Sequence, residues 1–290
     1  MGAWHILGAG AIGSLITHRM LQSQCTCTLL HHHNGVSSRS LIDGENTVEL
    51  PVQPLQSLAS KSIDRLLLTT KAGQLIDALR LASPFLSQHA VIACTANGLG
   101  FEDAFSQVLP GHSLYRAVST AAAFRDHKAA VHIVANGMTR IGAPDTAAVA
   151  PYWFEDSLAL LPGWRWESPL TTAIGEKFAI NCVINPLTAT LECRNGELLS
   201  HGGAGPELQA LCQESEPALR RLGLWSRESP LLDAAVSVCG STAQNQSSML
   251  QDKLAGRATE INFLNGELLR RARPLGLELP INQTLVKALG

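Results

Sequence analysis

Short apolar runs alternate with amphipathic stretches through the first part of the chain. AWHILG (3–8) precedes a helical pattern over 11–23, CTCTLLH (25–31) follows it, and DRLLLTT (64–70) leads into a helical pattern near 73–83. HAVIACT (89–95) is apolar almost without interruption, as expected of a strand covered on both faces of a parallel sheet. Strands alternating with helices predict a doubly wound, Rossmann-type α/β domain. Beyond about residue 110, SLYRAVSTA (113–121), AAVHIVA (129–135) and MTRIGA (138–143) read as further strands separated by turns, Asn136-Gly137 among them. They extend the sheet with an antiparallel portion. WRWESPL (164–170) reads as the passage between domains, with Pro169 placed to open the next helix. Helical patterns then fill the chain near 170–185, 187–200, 206–223, 229–240 and 258–275, which predicts an all-α second domain. The expected boundaries are 1–167 and 168–290.

One helical stretch departs from ordinary amphipathicity. In GEKFAINCVINPLTA (175–189), Lys177, Asn181 and Asn185 recur every fourth residue and so share a face, while Phe178, Ile180, Val183 and Ile184 make the other positions apolar. A polar stripe on a buried helix is costly unless it lines a cavity or a hydrogen-bonded seam, and the spacing leaves both open. Pro186 is expected to break or kink the helix and tip Asn185 inward.

At the other end of the chain, Gly8-Ala9-Gly10-Ala11-Ile12-Gly13 matches G-x-G-x-x-G between a strand and a helix. The first glycine permits a tight turn, the second lets a pyrophosphate approach the backbone, and the third allows close helix–sheet packing, with free N–H groups at the helix start facing the phosphate. Dinucleotide binding is the expected role. A fold that prefers NAD carries an acidic residue about 20 positions on. None occurs between Met1 and Ile42, and that place is held by His31-His32-His33, with Arg39 shortly after. NADP is therefore the expected cofactor, a solvated histidine loop being the alternative reading.

Composition narrows the partners. The 290 residues are 46% hydrophobic and 16% charged with a formal charge of −2, and there is no Lys/Arg run to meet a phosphate backbone or an anionic membrane. No apolar stretch approaches membrane-spanning length and no leader pattern precedes the first strand, so a soluble, cytoplasmic monomer or homodimer acting on a small molecule is expected. Seven cysteines without a C-x-x-C pair argue against a disulfide framework or a structural metal site, and no metal is expected. Cys182, beside Asn181, has no histidine near it in sequence and reads as a small buried hydrophobe.

Several separated segments together resemble the ketopantoate reductases (2-dehydropantoate 2-reductases), which supply pantoate for pantothenate and coenzyme A synthesis. They are GAGAIG (8–13), TTKAGQ (69–74), ANGLG (96–100), HIVANGMTRIG (132–142), EKFAINCVINPLTATLECRNGEL (176–198) and SSMLQDKLAGRATEINFLNGELLRRARPLGLELP (247–280). The resemblance spans nearly the whole chain. It implies a helical second domain like that of 6-phosphogluconate dehydrogenase and NADPH-dependent reduction of 2-dehydropantoate. On matching positions it implies Lys177 as the catalytic lysine, with Asn97, Asn181, Asn185 and Ser248 positioning substrate and Glu260 at its hydroxyl end. Gly8 to Gly13, His32, Lys71 and Asn97 lie against the cofactor in the same reading. By spacing alone Ser248 and Glu260 share no helical face, and a capping serine and a solvated glutamate are the default. Asp252 reads as a structural neighbour, and Asn195 as a turn residue. The chain departs from the family in carrying histidines where arginine often meets the 2′-phosphate, and in ending at Gly290, somewhat early. Reduction of another 2-oxo acid, or NADP binding without catalysis, are the alternatives.

Overall fold

The computed structural model describes residues 2–32, 36–144, 148–200 and 203–290. Contacts divide the chain into two compact units, Met1–Ala96 with Phe101–Leu170, and Asn97–Gly100 with Thr171–Gly290. The expected boundary after residue 167 lies three residues before this division, and the short segment Asn97–Gly100 belongs with the second unit.

The first unit is built on a mixed sheet of eleven strands among the described residues: β1 (Trp4–Leu7), β2 (Cys27–His31), β3 (Ser38–Asp43), β4 (Asn46–Pro54), β5 (Ile63–Leu68), β6 (Leu86–Cys94), β7 (Leu114–Ser119), β8 (Ala122–Arg125), β9 (Val131–Ala135), β10 (Thr139–Gly142) and β11 (Trp164–Trp166). Their spatial order is β11-β10-β7-β6-β5-β1-β2-β4-β3-β9-β8. The central strands from β7 to β4 are parallel, β10 runs antiparallel to β7, and β3 runs antiparallel to β4. Helices α1 (Ala11–Gln22), α2 (Ala72–Ala82), α3 (Glu102–Val108) and α4 (Tyr152–Glu155) complete this unit. Because β1 connects to β2 on one side while β5 lies on its other side, the strand order reverses between β1 and β5. That reversal is where open α/β sheets bind ligands, beyond the carboxyl ends of the strands.

Trp4, Ile6, Leu7, Leu29, Leu30, Leu66, Leu67 and Leu68 are buried, in keeping with central strands covered on both faces. Arg65 on β5 forms a two-pronged ion pair with Asp156, at 2.6 and 2.8 Å, which ties the sheet to the segment after α4. The hydrogen bonds from Arg65 hold the Asp156 carboxyl below its ordinary range.

Two expectations change here. WRWESPL is not a bare linker: Trp164–Trp166 pairs in parallel with β10 as an edge strand, because Trp166 packs its ring against Trp153, Phe154 and Tyr115. The following helix opens at Thr171 rather than at Pro169, whose peptide bond with Ser168 is cis. The antiparallel portion expected beyond residue 110 is present, with β10 against β7 and β8 against β9, although the strands flanking Asn136-Gly137 do not pair with each other.

The second unit is helical: α5 (Thr171–Leu191), α6 (Pro206–Arg221), α7 (Leu231–Ser241), α8 (Ser248–Leu254), α9 (Asn265–Ala272) and α10 (Pro280–Leu289), with a small ladder of β12 (Leu199–Ser200) on β13 (Gly203–Ala204). The expected helix over 187–200 does not form. Residues 187–191 extend α5, Glu192 takes a positive φ of 54° that ends it, and a 3-10 turn follows at Asn195–Leu198. The stretch 258–275 is likewise divided, into 3-10 turns at Ile261–Phe263 and Arg273–Leu275 on either side of α9.

Candidate active site

The glycine turn follows directly from the end of β1. Gly8 has φ +128°, a conformation that suits glycine, and its carbonyl accepts a hydrogen bond from Thr69 Oγ1 at 2.9 Å. The Thr69 amide donates to Leu7 O at 3.0 Å, so the loop after β5 clamps the loop after β1 at the reversal point. A β-carbon on Gly13 would overlap Gly8 O and press on Thr69 Oγ1, so helix and turn meet at glycine distance. Gly10 behaves differently, because a β-carbon there would meet no protein atom within 4 Å. The protein itself does not demand glycine at that position, and the space over its backbone is open.

Gly10 caps α1 without a side chain, leaving the first-turn amides of Ala11 and Ile12 with no acceptor one turn earlier. Ala9, Ala11 and Ile12 complete the turn with small or apolar side chains. This cradle fits a dinucleotide pyrophosphate. At the end of β2, the His31 and His32 rings stack with centroids 5.0 Å apart; His33 lies outside the described residues. The first carboxylate along the chain, Asp43, is taken up by Arg19 at 3.1 Å and His18 at 3.4 Å. Arg39 is buried within β3, its Nη1 on Ala129 O at 3.4 Å. Lys71 stands at the N-cap of α2, immediately after the clamping loop.

In the second unit, α5 runs unbroken from Thr171 to Leu191 and carries Lys177, Asn181 and Asn185. Lys177 and Asn181 are partly exposed and Asn185 is buried, while Phe178, Ala179, Cys182, Val183 and Ile184 are buried around them. The expected break at Pro186 does not occur. Proline has no N–H to give the carbonyl four residues earlier, which is Cys182 O. That oxygen instead accepts from Asn265 Nδ2 at 2.8 Å.

Thr188 Oγ1 reaches Ile184 O and Asn185 O, both at 3.0 Å, and Ser247 Oγ at 2.7 Å. Ser247 in turn caps α8 by accepting from Leu250 N at 3.0 Å. The capping serine is thus Ser247, which Thr188 joins to the turn that carries Asn185, and Ser248 is the exposed first residue of α8. Thr188 and Ser247 were not singled out from the sequence, although a Ser-Ser pair opening a helix was the available signal.

Glu260 is buried, at the N-cap of the Ile261–Phe263 turn, and its Oε2 accepts from Asn97 Nδ2 at 3.3 Å. Burial replaces the default picture of a solvated glutamate. The Asn97 segment is held on that turn by Leu99 N, which donates to Phe263 O at 2.9 Å, and by Gly98, whose φ of +81° and close approach to the Phe263 carbonyl leave no room for a side chain. Two predicted site residues 163 positions apart are therefore joined by a hydrogen bond. Asn97 Oδ1 is buried with no hydrogen-bond partner among the described residues.

The neighbours fall into structural roles. Asn195 donates from Nδ2 to Thr242 Oγ1 at 2.9 Å and from its amide to Asn245 O at 3.0 Å, as suits a turn residue. Asp252 is buried and pairs with Arg257 at 3.0 Å. Burial raises the thiols, Cys27 and Cys212 to about 12, Cys239 to about 11 and Cys182 well above its ordinary value, so Cys182 is no thiolate nucleophile. Among the described residues no cluster of His, Cys, Asp or Glu could hold a metal ion, and no helix is long and apolar enough to cross a membrane.

A Rossmann-type unit with a glycine turn at its strand-order reversal, and a helical unit bearing a lysine among neutral amides, define a class of oxidoreductase. Within that class the chain belongs to the ketopantoate reductase family: "Ketopantoate reductase PanE/ApbA" matches residues 4–146 and "Ketopantoate reductase PanE/ApbA C terminal" matches residues 170–290. It is 33% identical to a 2-dehydropantoate 2-reductase of Yersinia pestis over 98% of this chain and 93% of the relative. Its identity to the Shigella flexneri enzyme of the same description is 34%, over 97% and 91% of the two chains. A solved dimeric ketopantoate reductase from Staphylococcus aureus superposes with a TM-score of 0.82 at 19% identity, covering 99% of this chain and 97% of that one, a likeness of fold.

Proposed function

We propose that this protein reduces 2-dehydropantoate to pantoate with NADPH, Lys177 serving as general acid. The observation that carries this reading is the unbroken α5, which holds one ammonium in line with two neutral amides on a helix whose middle is largely buried. Gly8 to Gly13 would hold NADPH by its pyrophosphate, and the cofactor would supply the hydride for the C2 carbonyl carbon. Negative charge then grows on the carbonyl oxygen, which the Lys177 ammonium stabilises and protonates. Asn181 and Asn185 hydrogen-bond substrate oxygens without competing for that proton, since an amide neither gains nor loses one near neutral pH. Ser248 supplies a further hydroxyl from the start of α8. Glu260, steadied by Asn97, accepts a hydrogen bond from the substrate's 4-hydroxyl, a charge-assisted contact.

The assignment of NADPH rests on the end of β2, where histidines stand and no carboxylate opposes a 2′-phosphate. His32 and Lys71 are proposed to face the cofactor. The direct test is oxidation of NADPH by the purified protein with 2-dehydropantoate, compared with NADH; no turnover with any branched 2-oxo acid would end this reading.

Two further results are expected. Gly10→Ala leaves thermal stability unchanged, because the new methyl meets no protein atom, yet raises the KM for NADPH by roughly 10- to 100-fold, the equivalent of an overpacking cost of about 1–3 kcal/mol. An unaltered KM would show that nothing approaches that backbone. Glu260→Ala lowers kcat/KM for 2-dehydropantoate about 10- to 100-fold, as loss of a hydrogen bond to a charged group predicts. The same variant should treat 3,3-dimethyl-2-oxobutanoate, which lacks the 4-hydroxyl, much as the parent does. Equal losses on both substrates would remove Glu260 from hydroxyl recognition.

A further inference from the structure

We infer that Asn265 is a positioning residue for the reaction, supplying the hydrogen bond that Pro186 withholds from the catalytic helix. In α5 the Cys182 carbonyl would ordinarily accept from the amide of residue 186, and proline has none. A buried carbonyl left unmet is costly, and Cys182 is fully buried. Asn265 Nδ2 takes the place of the absent donor at 2.8 Å.

The orientation of this amide is determined by its partners. Only an N–H can meet a carbonyl, so Nδ2 must face Cys182 O, and the same Nδ2 donates to Asn282 Oδ1 at 2.8 Å. Asn282 is oriented the same way by the other side of the network, its own Nδ2 donating to Glu214 Oε1 at 2.8 Å and to Ser215 Oγ at 3.0 Å. Glu214 is held by the amides of Ile281 and Asn282 at the start of α10, at 2.8 and 2.9 Å. Both asparagines are fully buried. Asn265 Oδ1 is buried with no partner among the described residues, a cost that an apolar side chain would avoid. The amide is explained by its two donated bonds.

The location gives the network its consequence. Cys182 follows Asn181 directly, and the turn from Cys182 to Pro186 contains Asn185, so the bond missing from the helix lies between the two amides proposed to hold the substrate. A helix with an unmet carbonyl there would open at that turn and rotate Asn185 away from Lys177 and Asn181. Placing the replacement donor on α9 makes the alignment of the three residues depend on α9 and α10, and lets α5 continue through Pro186.

The inference rests on the proposed reductase activity, and its test separates the two. Asn265→Leu keeps the branched heavy-atom shape, with somewhat bulkier ends, and removes the donor. It should lower kcat/KM for 2-dehydropantoate by roughly 10- to 100-fold, as expected of a small misplacement of reacting groups, while leaving the KM for NADPH near that of the parent. Pro186→Ala restores an N–H to residue 186. Alone it should be close to the parent in rate, and combined with Asn265→Leu it should recover most of the lost kcat/KM and part of the lost Tm. The unmet Asn282 Oδ1 is common to the single and double variants and cancels between them. A folded Asn265→Leu protein with parental kinetics would reduce Asn265 to a purely stabilising residue and overturn the inference. So would a double variant no better folded and no more active than the single one. Should the parent not turn over 2-dehydropantoate, the functional reading fails, while rescue of Tm by Pro186→Ala still reports on the hydrogen bond itself.

Discussion

Replacing Lys177 with alanine is expected to lower kcat for 2-dehydropantoate by about 10²- to 10⁴-fold, the range that a positioned general acid contributes. The KM for NADPH and the thermal stability should change little, because Lys177 is partly exposed and the apolar faces of α5 are untouched by the truncation. Asn181 and Asn185 cannot replace it, since amides donate a hydrogen bond but not a proton at neutral pH. Lys177→Arg should recover little of the rate. A guanidinium is charged and can stabilise the oxyanion, but its pKa lies too high for it to release a proton. Steady-state kinetics on the three proteins, with unfolding curves to confirm that each is folded, check this. An alanine variant at full rate would remove the mechanism.

The second large effect is expected at Gly13. A β-carbon there overlaps the Gly8 carbonyl oxygen, which is backbone and cannot swing aside, and it also presses on Thr69 Oγ1. Either the turn or the start of α1 must move. Overpacking of this kind costs about 1–3 kcal/mol and occasionally more, or roughly 2–4 °C of Tm per kcal/mol for a protein of this size. Because the same shift disperses the amides of Ala11 and Ile12, Gly13→Ala should lose both stability and NADPH binding. Gly10→Ala should lose binding alone. Differential unfolding with and without NADPH distinguishes the two variants, and identical behaviour at both positions would contradict the separate roles assigned to these glycines.

The parts of this architecture legible in the sequence were those fixed by local chemistry. The glycine turn was readable because tight turn, phosphate approach and helix packing all demand glycine within six residues. The lysine–asparagine stripe was readable because a four-residue step on a buried helix has few explanations. What escaped depended on distant partners. Continuity of α5 through Pro186 could not be read because the replacement donor, Asn265, belongs to another helix. The β3–β4 pair was missed because Pro51 and Pro54 interrupt an otherwise alternating Leu41, Val48, Leu50 and Val52, and proline within a run argues against a strand. Helix α10 was missed because Pro280 read as the end of a motif, whereas it opens a helix from its first position. The link between Asn97 and Glu260 arises only when the 97–100 segment packs on the Phe263 turn. Ser248 and Glu260 share no helical face because α8 ends at Leu254, before Glu260 is reached.

The role of Lys177 is tested most directly by a crystal structure of the protein with NADP and pantoate. The mechanism predicts Lys177 Nζ within about 3 Å of the pantoate C2 oxygen, the reach of a proton donor, with the amides of Asn181 and Asn185 on the same substrate. A Lys177 ammonium directed into bulk solvent, with another group on that oxygen, would contradict it.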